Sequence, residues 1–148
     1  YQAYKDFLEG GFMLRIIVAY ISTGLVFVVI DAIWLSNMGG WYRRMMGDLL
    51  LPEFRLVPAM VFYFLFLAGL IIFAVAPALT SGKLTTALLY GALFGFFTYV
   101  TYDLTNQSTL THWPLQLVVV DIAWGTVLSA ASATFGTLLA RTILERLG

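Results

Sequence analysis

Cysteine is absent from this 148-residue chain, histidine occurs once, and charged residues make up only 11%. Without cysteine there is no disulfide, no thiolate metal site and no thiol nucleophile, and the redox compartment stays open. The eight basic and eight acidic residues balance and no basic tract occurs, so nucleic acid is not an expected partner. The signatures of soluble enzymes (GxSxG, HExxH, a phosphate-binding glycine loop) are missing as well. Period-2 alternation of apolar and polar residues is also lacking, which removes a β-barrel from consideration.

What is present is apolar. The chain is 61% hydrophobic, with a mean hydropathy of +0.90, whereas soluble domains are about 45–50% apolar and about 25% charged. The class is therefore integral membrane protein, and one domain is expected at this length. About 20 apolar residues are needed to span the hydrocarbon core. Four segments qualify: residues 14–38, 56–76, 84–110 and 114–144. The fold class is thus all-α, a four-transmembrane-helix bundle within a single domain over residues 13–148. The last span would be about 45 Å long, so one end is expected to project from the bilayer.

Boundary residues mark the turns. The paired glycines of "NMGGWY" at Asn37–Tyr42 are expected to break the first helix, and Pro77 with "TSGK" at Thr80–Lys83 to end the second. Pro114 stands where the first turn of a helix tolerates proline. Met13-Leu14-Arg15 looks like a natural start, so residues 1–12 read either as a cloning remnant or as an interfacial stretch. Lys and Arg in the flanks set orientation. Lys5, Arg15, Lys83, Arg141 and Arg146 stand on the side of the termini, against Arg43, Arg44 and Arg55 on the other, so both termini are expected to be cytoplasmic.

Three carboxylates interrupt the apolar runs. Asp31 lies in "VVIDAIWL" and Asp121 in "VVVDIAWG", each with a tryptophan three residues on (Trp34, Trp124), and Asp103 lies in "TYVTYDLTNQST". Asp31 is seven residues before Met38, Asp103 seven before Leu110, and Asp121 seven after Pro114. Seven residues of helix rise about 10 Å, so alternating helix direction brings all three to one level in the outer half of the bilayer. An aspartate at mid-membrane costs about 2.5–3.5 kcal/mol on insertion scales and faces the bundle interior or a wet cavity. Clustered carboxylates cannot all carry charge in a low dielectric.

Helical spacing puts Tyr99, Asp103 and Asn106 on one face, and Tyr20, Phe27, Asp31 and Trp34 on another. The expected pocket is lined by Asp31, Asp103, Asp121, Tyr99, Tyr102, Asn106, Trp34 and Trp124. The alternative is structural: aspartates bonded across helices to Tyr, Asn, Thr or Trp hold a small bundle together without chemistry. The loop "GGWYRRMMGDLLLPEF" reads as an interfacial amphipathic helix, with Trp41, Met45, Leu49 and Leu50 dipping into lipid. Its Arg43 and Arg44 are candidates for a lipid headgroup or simply anchors. His112, alone in a short loop, is expected to be solvated, and no metal site is expected. Trp41 and Trp113 fit the aromatic belt of a membrane interface. "GALFG" at Gly91–Gly95 and "SASATFG" about Ser129–Gly136 present small residues for close helix packing, within the bundle rather than between copies.

The strings "IDAIWL", "FAVAPALTSGK", "TYVTYDLTNQSTL" and "VVVDIAWG" together resemble a bacterial family of small four-span membrane proteins known only as a domain of unknown function. "TYDLTN" followed by "DIAWG" is the specific part, and the similarity covers Leu14–Leu144. The resemblance implies a compact multi-pass bundle in a bacterial inner membrane and supplies no catalytic residues or cofactor. It tilts the functional expectation toward lipids. Three functions follow from the residues: a lipid- or fatty-acid-binding or -modifying protein, a proton- or cation-coupled transporter, and a structural subunit of a larger complex. Membrane lipids, and a homodimer or larger assembly, are the expected partners.

Overall fold

The computed structural model describes residues 11–148. Its four long helices are α1 (Gly11–Met46), α2 (Leu56–Ser81), α3 (Leu84–Thr109) and α4 (Leu115–Leu147), and the described residues contain no strand. Each helix is long and apolar enough to cross a membrane. The chain is a four-helix membrane bundle. Of the twelve residues read as a remnant or interfacial stretch, 1–10 lie outside the described residues, and Gly11 and Phe12 already belong to α1.

Two expected breaks are absent, for a common reason. Gly39 and Gly40 stay helical, and α1 runs on to Met46 before a 3₁₀ turn at Gly47–Leu49. Pro77 does not end α2, which reaches Ser81. In hydrocarbon every backbone N–H and C=O must be satisfied within the segment, so breaking a helix costs more there than tolerating a poor helix former. Pro77 is accommodated by a π-helical turn at Ile71–Val75, where the Ala76 N–H reaches back five residues to the Ile71 carbonyl. Helix α2 then closes at Gly82, whose positive φ of 72° lets its N–H bond the Ala78 carbonyl at 3.0 Å. Arg141 of α4 donates to the same carbonyl at 3.0 Å, which ties the end of α2 to α4.

The expected interfacial helix over 39–54 is instead the last turns of α1 and the 3₁₀ turn. Trp41 and Met45, expected to face lipid, pack with Tyr42 and Met46 on Trp113, Leu117 and Val118 and cap the bundle, while Leu49 and Leu50 are exposed. Trp113 is likewise no belt residue but is buried.

Small residues decide how close the helices come. A Cβ on Gly95 of α3 would sit 2.2 Å from the Gly125 carbonyl oxygen of α4 and 2.6 Å from Ser129 Oγ. At Gly91 it would meet Ala133 Cβ and the Ser129 carbonyl, each at 2.8 Å. At Gly136 it would fall 2.7 Å from Thr23 Cα on α1. These contacts are between backbones, so only glycine fits, and the small-residue faces serve packing within the bundle.

Candidate functional site

At the opposite end the helices part around a cavity of about 620 Å³. Its walls are mainly apolar and aromatic, with Leu35, Leu50, Phe54, Phe62 and Phe66 among them. Into it face Asp31 and Asp121, together with Trp34, Tyr42, Tyr63, Tyr99, Tyr102 and Trp124, and Arg43. Asp103 does not line the cavity. It is fully buried, behind the cavity wall and next to Asp121.

The polar groups form one connected set. The Tyr63 hydroxyl donates to Asp31 Oδ2 at 2.9 Å, and Trp124 Nε1 points at Asp31 Oδ1 from 3.4 Å. The indoles of Trp124 and Trp34 stack with centroids 4.1 Å apart and planes within 4°. Trp34 Nε1 donates to the Tyr42 hydroxyl at 3.2 Å, and that hydroxyl donates to Asp121 Oδ1 at 2.8 Å. Trp113 Nε1 donates to Asp103 Oδ1 at 3.3 Å. Asp103 Oδ2, also buried, has no N–H or O–H donor. The partners of all three carboxylates are phenols and indoles, not cations.

The local sequence explains the placement. Tyr99 lies directly on α4 because residue 125 is glycine: a Cβ there would strike its ring at 2.2 Å. The same ring meets Phe66 edge-on at 6.2 Å, and Phe27 stands edge-on to Tyr63 at 5.9 Å, so an apolar floor supports the polar set. Asn106 stands against Tyr102 rather than on the cavity wall. Of the two arginines proposed for a headgroup, Arg43 lines the cavity and Arg44 does not. His112 is exposed and lies 3.0 Å from the Met45 carbonyl, pinning the α3–α4 loop to the end of α1. No group of three His, Cys, Asp or Glu side chains suited to a metal ion occurs among the described residues.

The same strings that furnish this site, "TYDLTN" on α3 and "DIAWG" on α4, fall inside the stretch, residues 16–138, over which the chain matches a family described as predicted membrane protein (DUF2177). The chain belongs to that family. No curated protein and no solved structure matches it. Membership in DUF2177 agrees with the four spans and assigns no activity.

Three site residues of this DUF2177 chain escaped the reading of the sequence: Tyr42, Tyr63 and Trp113. Tyr42 is eleven residues beyond Asp31, three turns along the same helical face, and becomes visible once α1 is allowed to continue through Gly39 and Gly40. Tyr63 is the only hydroxyl in the "LVPAMVFYFLFLAGL" stretch of α2, which is the signal that would have singled it out. Trp113 reaches Asp103 because the loop folds inward, and nothing in its local pattern announces that.

Proposed function

We propose that this protein binds a membrane amphiphile in the cavity between its helices, with the chain against Leu35, Leu50, Phe54 and Phe62 and the head at Asp31, Asp121 and the surrounding phenols. The observation that carries the reading is the cavity itself: about 620 Å³ of mostly apolar space that ends on two hydrogen-bonded carboxylates. Ligand sites of this size combine apolar walls with a few converging polar groups. In the orientation set by the flanking basic residues, the cavity belongs to the outer half of a bacterial inner membrane, with both termini cytoplasmic. The carboxyls of Asp31 and Asp121 give the site groups that can act as acid or base, so modification of the bound lipid is chemically within its means.

Gly39 provides the test. It lines the cavity, and a Cβ at this position meets nothing within 4 Å, so Gly39→Leu fills the space without straining the helix. Native mass spectrometry of the detergent-purified protein is expected to find lipid on the original chain and none on an equally stable Gly39→Leu variant. Equal lipid retention by both would remove the reading.

A scaffold role in a larger membrane complex draws on a different observation, that Tyr63–Asp31 joins α2 to α1 and Tyr42–Asp121 joins α1 to α4. It expects Asp31→Asn to lower stability and leave any bound lipid unchanged. Proton- or cation-coupled transport has less support, because the contact of Gly136 with Thr23 closes the other half of the bundle.

A further inference from the structure

We infer that the amphiphile taken by this cavity carries a cationic amine head, as an aminophospholipid does. This rests on reading the cavity as a lipid site and names the class of lipid. Three observations converge. Asp31 and Asp121 face the cavity, Asp103 stands behind them, and their hydrogen-bond partners are neutral phenols and indoles. Carboxylates that are hydrogen-bonded to no cation among the described residues leave negative charge in a low-dielectric setting, where an uncompensated charge is costly.

The second is Asp103 Oδ2, fully buried and without a donor, which adds an unpaired acceptor to the acids around the cavity without itself reaching it. The third is the wall around the carboxylates. The stacked Trp34–Trp124 pair and the rings of Tyr42, Tyr63, Tyr99 and Tyr102 surround the acids. Aromatic rings together with carboxylates favour an ammonium by its charge over a phosphate or carboxylate. A primary ammonium also brings three N–H donors to oxygens that can each accept a further bond.

Exposed Arg43, on the same cavity wall, provides the single cation there among the described residues and suits the phosphate of a zwitterionic lipid. An anionic lipid would satisfy Arg43 alone and meet the carboxylates unfavourably. A neutral diacylglycerol would satisfy neither.

The test is competition on the delipidated full-length protein. Phosphatidylethanolamine, phosphatidylglycerol and diacylglycerol with identical acyl chains are offered in equal amounts, and retention is read by native mass spectrometry. Phosphatidylethanolamine is expected to be retained about tenfold over each of the others, and Asp121→Asn to abolish that preference. Equal or better retention of phosphatidylglycerol or diacylglycerol would overturn the amine inference and leave the lipid site standing. Retention of no lipid would overturn both. If Asp121→Asn does not fold, the ranking on the unmodified protein decides alone.

Discussion

The two ends of this bundle solve the packing of four apolar helices in opposite ways. Around Gly91, Gly95, Ser129, Ala133 and Gly136, side chains are so small that backbones touch and no space is left. Around Asp31, Tyr42, Tyr63 and Asp121, large rings and carboxylates hold the helices apart and space is retained. In lipid there is no hydrophobic force to press helices together, so contact must come from close fit or from bonds between polar groups. This protein uses fit at one end and polar bonds at the other. Fit closes a bundle; polar bonds across helices let it stay open without falling apart.

Substitutions that exchange these two strategies test the contrast. The largest effect is expected at Gly95, where a Cβ would lie 2.2 Å from backbone oxygen. Gly95→Ala should cost about 3 kcal/mol, seen as a lower midpoint of thermal unfolding in detergent. An unchanged midpoint would mean that α3 and α4 are not locked by backbone contact. Next comes Tyr42→Phe, which leaves both the Trp34 N–H and Asp121 Oδ1 without their common partner. The expected loss is about 1–2 kcal/mol by the same measurement.

Asp103→Asn is expected to act in the other direction. An amide removes a buried acid and offers an N–H to the neighbouring Asp121 where Asp103 Oδ2 has no donor, so the midpoint should stay level or rise by up to about 1 kcal/mol. A large loss would show that the negative charge of Asp103 is needed for the fold. The smallest effect is expected at Gly40, which is helical and open, with only the Arg44 guanidinium near an added Cβ, at 3.6 Å. Gly40→Ala should stabilise the bundle by about 0.5–1 kcal/mol without altering lipid retention. Destabilisation would restore the idea that the paired glycines act as a break.

The contrast also separates what could be read from the residues from what could not. Run length alone revealed the spans, because hydrocarbon thickness imposes it. Counting seven residues from the facing ends of α3 and α4 put Asp103 and Asp121 at one level, since rise per residue is constant, whereas Asp31 was counted from Met38, eight residues short of where α1 ends. The glycine faces were legible for the same reason of period. Gly39–Gly40 and Pro77 misled because their reputation as breakers comes from water, where a broken helix finds other hydrogen bonds. That error concealed Tyr42. Whether Asp103 faces the cavity or lies behind Asp121, and whether Trp113 turns inward, depends on side-chain reach between helices. No spacing along one helix encodes that.

The π turn at Ile71–Val75 has one further consequence. It absorbs a single residue, so the α-helical phase after it is set back by one position, about 100° about the axis. Tyr63 and Phe66 before the turn, and Ala78 after it, all face inward on these terms. Deleting one residue from Ile71–Val75 would keep both halves aimed as they are but would remove the turn that accommodates Pro77. Deleting one between Tyr63 and the turn would rotate Tyr63 away from Asp31 relative to the end held at Ala78. Within α2 the turn thus sets the phase between the cavity wall and the end that Arg141 holds.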